Sequence, residues 1–121
     1  GEIPGGLRLV MIETASCGYC LRWHREVGPA YPMSSVGRQA PLVRRDISDP
    51  VVASFGKVIY TPTFILVRDG REVDRLVGYP GAEGFWEEIG VMLARIEPRP
   101  EHFERFTSSS GCVSTPRRST C

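Results

Sequence analysis

Three things are scarce in this sequence: net charge, long apolar runs and metal-ligating side chains. Each scarcity removes a class of function. The 121 residues carry 15 Lys and Arg against 14 Asp and Glu, a formal net charge of +1. So little net charge projects no broad field toward nucleic acid or anionic lipid. The pairs Arg44-Arg45 and Arg117-Arg118 are isolated, so no nucleic-acid partner is expected. No apolar run approaches the roughly 20 residues needed to span a bilayer, and no membrane insertion is expected. The opening GEIPGG has neither the basic start nor the apolar segment of a secretory signal. A cytosolic protein and the mature form of an exported one both stay open. Four cysteines are too few for a disulfide scaffold and do not settle the compartment.

What is present reads as one ordinary globular domain with one core, since the length is too small for two. LRLVMIET (7–14) is apolar and β-rich and predicts a buried strand ending at a cysteine motif. Ser16 precedes Cys17 as an N-cap or N′ residue, and the helix that follows runs to about Val27, stopping at Gly28-Pro29. YPMSSVGRQA predicts a loop or short helical turn. PLVRRDIS (41–48) predicts a second strand, and DPVVASFG (49–56) a short helix capped by Asp49 with Pro50 in its first turn. Thr63–Val67 and Glu72–Val77 flank Asp69-Gly70, a strong hairpin turn. AEGFWEEIGVMLARI (82–96) puts Phe85, Ile89, Met92 and Ile96 on one helical face.

The order is therefore β-α-β-α-β-β-α. The first two strands, joined by a helical crossover, should be parallel and right-handed, and the last two an antiparallel hairpin covered by the final helix. An α/β fold follows, with a four-stranded mixed sheet flanked by helices over residues 1–98. Residues 99–121 read as a polar tail carrying Cys112 and Cys121.

Cys17-x-x-Cys20 fits several chemistries. A zinc site needs about four ligands, and His24, His102, Cys112 and Cys121 form no second close pair. A c-type haem requires His after the second cysteine, where Leu21 stands. Two inert buried cysteines rarely take this spacing where a strand meets a helix. Redox exchange explains the placement best: Cys17 lies near the helix start, where unpaired N–H groups and the macrodipole favour a thiolate, the attacking species. Cys20, one turn on, can then attack the mixed disulfide and release the product. A carboxylate one strand-step away can take its proton; Glu13 is the nearest candidate, and a solvated strand-end glutamate is the plainer reading. No cofactor is called for.

Other residues are weighed beside these. Trp23 reads as packing and His24 as a solvated helical histidine. Tyr19 is exposed inside the motif, Tyr79 and Pro80 line a groove, and Phe85 and Trp86 belong to the core. Thr61-Pro62 falls at the start of a strand, where proline is tolerated; position alone leaves cis and trans both open. For Cys112 and Cys121 a tail disulfide, an intermolecular contact and an artificial end are all open, with the tail disulfide favoured.

Taken together, the strand, Cys17-Gly18-Tyr19-Cys20 opening a helix, Thr61-Pro62, and Gly78-Tyr79-Pro80-Gly81 before the last helix resemble the thioredoxin family over residues 7 to 97. The resemblance implies Cys17 as nucleophile, Cys20 as resolving thiol and a cis Pro62 facing them. It also implies that Thr61, with Gly18, Tyr19, Tyr79 and Pro80, meets an extended client segment. The chain departs from the family in three ways. The extra N-terminal strand and helix of full thioredoxins are expected to be absent, Ser16 replaces the Trp before the first cysteine, and apolar Met11 falls near the buried Asp.

CLRWHREVGPAYP, GRQAPLVRRDI, VIYTPTFILVRDGREV and GYPGAEGFWEEIG resemble more closely the periplasmic SoxS-type thioredoxin-like proteins of bacterial sulfur oxidation. That implies a monomeric periplasmic reductant fed by a membrane thiol transporter. Its implied client is a sulfur-carrier protein whose cysteine, blocked as a disulfide or persulfide, must be freed. Two alternatives stand beside it. One is a periplasmic disulfide isomerase or general thiol reductase, although such isomerases carry a dimerisation domain. The other is a non-enzymatic thioredoxin-like module binding peptides at Thr61-Pro62.

Overall fold

The structure, a computed structural model, describes residues 2–96; Cys112, Cys121 and the expected boundary at residue 98 lie outside them. Four strands carry it: β1 (Leu7–Glu13), β2 (Leu42–Asp46), β3 (Thr63–Arg68) and β4 (Arg71–Val77). They lie in the order β2-β1-β3-β4. β1 and β2 are parallel, with Leu9 opposite Leu42 and Glu13 opposite Asp46. β1 with β3, and β3 with β4, are antiparallel. Three helices flank the sheet: α1 (Gly18–Glu26), α2 (Ser35–Gln39) and α3 (Ala82–Ile96).

Strand alternation divides the core between the two sheet faces. Leu9 and Met11 of β1 join Phe64 and Leu66 of β3 in one cluster, with Trp23, Val27, Tyr31, Phe85, Ile89 and Met92 from the helical side. Val10, Ile12, Ile65 and Val67 face the other way, against Val52 and Phe55. The apolar stripe of α3 is close to that expected, with Leu93 buried beside Phe85, Ile89 and Met92 and Ile96 only partly covered. Met11 is fully buried among apolar neighbours.

The β3–β4 turn is the one its sequence calls for: Asp69 (φ 51°) and Gly70 (φ 83°) both take the left-handed conformation of a tight hairpin. One local expectation is corrected, and one left open is decided. Pro50–Ser54 forms a 3₁₀ turn rather than an α-helix, although Asp49 does cap it, accepting from the Val51 N–H at 2.9 Å. Of the two readings open for residues 31–40, the helical one holds: a 3₁₀ turn (Tyr31–Met33) leads into α2, whose N-cap Ser34 accepts from the Gly37 N–H at 2.9 Å.

Candidate active site

Strand pairing brings the two marked segments together. Ile12 near the end of β1 lies opposite Thr63 at the start of β3. The residues after β1, which carry the cysteines, therefore sit beside the residues before β3, which are Thr61 and Pro62. The Thr61–Pro62 peptide bond is cis. Pro62 is buried and Thr61 half-buried.

Cys17 and Cys20 form a disulfide, their Cα atoms 5.2 Å apart. Cys17 is the N-cap of α1, in extended conformation, and its Sγ accepts from the Cys20 N–H at 3.0 Å. Ser16 is thus the residue before the cap. The first turn of α1 has no acidic residue and its last turn has His24 and Arg25, so the charges on the helix do not oppose an anion at Cys17. Cys17 is 8% exposed and Cys20 1%. Gly18 and Tyr19 are exposed between them.

Glu13 and His24 differ from their plainer readings. Both are partly buried and paired: Oε1 of Glu13 lies 2.8 Å from Nε2 of His24, and its other oxygen accepts from Arg44 Nε at 2.5 Å. Arg44 is two residues short of Asp46, the β2 partner of Glu13, so strand alternation turns both side chains to one face. His24 is four residues past Cys20, one turn along the same side of α1. Neither oxygen of Glu13 bonds a cysteine sulfur. Beside this pair, on the side away from Pro62, an open cavity of about 380 Å³ is lined by Glu13, Thr14, Ala15, Arg44, Arg45 and Asp46.

Tyr79 and Pro80, expected together at a groove, differ in exposure. Pro80 is exposed, whereas Tyr79 is buried and packs with Phe85. Gly78 (φ 88°) and Gly81 (φ 96°) turn the chain on either side of the pair, a backbone path that favours glycine. The Tyr79 hydroxyl donates to Glu26 Oε1 at 2.6 Å, and the Arg22 guanidinium lies 5.7 Å over its ring. Burial, and then the bond to Glu26, push the phenol up to about 12. The bond from Tyr79, and then that from Arg22, hold the Glu26 carboxyl below its usual range.

Sequence reasoning passed over His24 as a partner of Glu13, and passed over Glu26 and Arg22. It also missed Ile59 and Tyr60, 63% and 67% exposed just ahead of Thr61. Two adjacent apolar residues outside any strand, directly before a marked proline, were the available signal. Among the described residues no three His, Cys, Asp or Glu side chains converge on a metal position, and no helix is long and apolar enough to cross a membrane.

No family model and no curated protein matches the sequence. Solved structures do. The periplasmic thioredoxin SoxS from Paracoccus pantotrophus, in reduced form, is 39% identical, with 75% of this chain and 99% of that one covered and a TM-score of 0.71. A poplar thioredoxin h is 25% identical over 74% of this chain and 78% of its own, with a TM-score of 0.55. A mutant thioredoxin from Halobacterium salinarum NRC-1, at 21% identity, covers 79% of this chain and 80% of its own with a TM-score of 0.58, a likeness of fold alone. Identity of 39% across 99% of SoxS, with the cysteine pair closing a disulfide at the head of α1, places the chain in the thioredoxin family as a thiol-disulfide oxidoreductase.

Proposed function

We propose that this protein is a periplasmic reductant that frees the blocked cysteine of a sulfur-carrier protein in sulfur oxidation. The carrying observation is the 39% identity to a periplasmic thioredoxin, SoxS, over 99% of that chain. The role in sulfur oxidation rests on that likeness.

In the proposed reaction the Cys17 thiolate attacks the client's disulfide or persulfide sulfur. The old S–S bond breaks, its leaving sulfur takes up a proton, and a Cys17–client mixed disulfide remains. Cys20 then loses its proton to the His24–Glu13 pair, attacks Cys17 Sγ and releases the client thiolate, which is protonated in turn. Two electrons pass to the client and the Cys17–Cys20 disulfide is formed; a membrane thiol transporter restores the dithiol. The N-cap position of Cys17, which already receives the Cys20 N–H, supports its role as the nucleophile.

The client lies extended along Thr61-Pro62, with Gly18, Tyr19 and Pro80 at its edges. The exposed Tyr19, Ile59 and Tyr60 side chains supply apolar contact on either side. The protein acts as a monomer.

Cys20→Ser removes the resolving thiol, so the mixed disulfide through Cys17 persists and can be isolated from a sulfur-oxidising periplasm. A dominant sulfur-carrier adduct is the expected outcome. A broad mixture of multi-cysteine secreted proteins would replace this reading with a disulfide isomerase or general reductase. No adduct at all would leave a peptide-binding module.

A further inference from the structure

We infer that Tyr79 and Glu26 are positioning residues, latching the helix that carries the cysteines to the loop that holds Pro62 and so setting the gap in which a client segment is aligned. The inference rests on the reading that the client lies along Thr61-Pro62.

The residues of loop 78–81 reach in two directions at once. The Gly78 N–H donates to the Pro62 carbonyl at 2.7 Å. One residue on, the Tyr79 hydroxyl donates to Glu26 Oε1 at 2.6 Å, at the last residue of α1. The far end of the loop is fixed too: the Phe85 N–H donates to the Gly81 carbonyl at 2.8 Å, and a Cβ at Gly84 would lie 3.0 Å from Pro80 Cβ, so Pro80 rests on the first turn of α3. A short loop anchored on α3 therefore connects Pro62 to the end of α1 opposite the cysteines.

α1 needs such a link. The turn after Glu13 and the His24–Glu13 contact hold it to β1, but neither ties it to the residues beside Pro62, and Trp23 and the following Val27 lie in an apolar cluster that resists separation but little resists sliding. A directional bond to a charged acceptor supplies the missing constraint. Arg22 reinforces it from within α1, donating to Glu26 Oε2 at 3.2 Å while lying over the Tyr79 ring. Loss of the latch lets α1 shift against Pro62. That weakens alignment of an extended peptide and leaves the sulfur chemistry at Cys17 untouched.

The test compares two mixed disulfides with the same thionitrobenzoate leaving group, one on a short extended peptide of small residues and one on mercaptoethanol. Each is reduced in a single turnover by the dithiol form. Tyr79→Phe and Glu26→Ala should each raise the half-saturating peptide concentration by about 3- to 10-fold, the range one net hydrogen bond gives. The limiting rate and the mercaptoethanol reaction should not change. Glu26→Gln, whose amide oxygen still accepts, should restore most of the loss, and the Tyr79→Phe/Glu26→Ala double variant should be no worse than either single one.

A lowered melting temperature with both substrates unaffected, or affected equally, would overturn the latch and leave a purely structural contact. Tyr60→Ser separates this from the groove reading. If it raises the peptide value while Tyr79→Phe and Glu26→Ala do not, the groove stands and the latch falls. If none of the three does, the groove reading fails and the latch with it. Glu26 is 34% exposed in its side chain, so its variants carry the test even where Tyr79→Phe unfolds part of the sample.

Discussion

One face of the sheet is covered by three helices and a set of touching rings, the other by a short 3₁₀ turn and the chain around it. On the first, Trp23, Phe64 and Phe85 lie with centroids 4.9 to 5.6 Å apart, and Tyr31 adds to them at 6.0 Å from Trp23. On the second, Val10, Ile12, Ile65 and Val67 meet Val52 and Phe55, with Ile3, Val51 and Val58 partly covered at the edge. Cys17 and Cys20 belong to the first cluster. The site is therefore an edge of the heavier core: its geometry rests on aromatic packing from α1 and α3, while the lighter face mainly keeps water off the strands.

Truncation on each face should expose that asymmetry. Phe85→Ala, at a fully buried site, should cost about 3–5 kcal/mol, transfer and cavity together. Val52, at 8% exposure on the rim of the lighter cluster, loses less surface and sits where neighbours can close in; Val52→Ala should cost about 1–2 kcal/mol. Urea unfolding of the disulfide form measures both. Equal losses would mean that the two faces support the sheet alike.

Tyr31→Phe sharpens the same contrast with a smaller step. The Tyr31 hydroxyl donates to the Ala40 carbonyl at 2.6 Å in a buried setting. Removing it leaves that acceptor unpaired and should cost about 1–3 kcal/mol by the same measurement, with the packing of the ring retained. A loss below about 0.5 kcal/mol, the lower limit for a net hydrogen bond, would mean that Ala40 finds another donor.

Features set by local chemistry were legible in the sequence. The Asp69-Gly70 turn, the apolar stripe of α3 and the strand ending at Cys17 follow from backbone preference and periodicity. α2 was legible only as one of two alternatives, a loop or short helical turn: Ser35–Gln39 is five residues long, too short to show a period, and contains Gly37. The fold requires that glycine, since a Cβ there would overlap the Tyr31 carbonyl. In the site, the CxxC spacing pointed to a redox pair together with its surroundings: no second close pair to complete a zinc site, and Leu21 where a haem would need His. The partners of Glu13 and Tyr79 were hidden. His24 meets Glu13 only once α1 folds back over β1, and Tyr79 turns inward next to a Gly78 at φ 88°.

The last effect is absent at neutral pH and appears only in strong base. Two tyrosines are buried on the heavier face, and burial raises both phenols: Tyr79 to about 12, with its bond to Glu26 adding to the rise, and Tyr31 further still. A phenol whose folded pKa lies above its unfolded value of about 10 stabilises the fold fully below that value, and the contribution is lost as pH rises through the folded one. Stability should therefore hold up to about pH 10 and fall between about 10 and 12 as unfolding comes to release a proton from position 79. Tyr79→Phe should make that fall shallower and remove one phenolate step near 12 from the ultraviolet titration. The lighter face, whose core cluster contains no tyrosine, contributes nothing to this slope, so Val52→Ala should shift the curve down without bending it. An unchanged slope in Tyr79→Phe would place the alkaline weakness at Tyr31 alone, deeper under the helices than the latch.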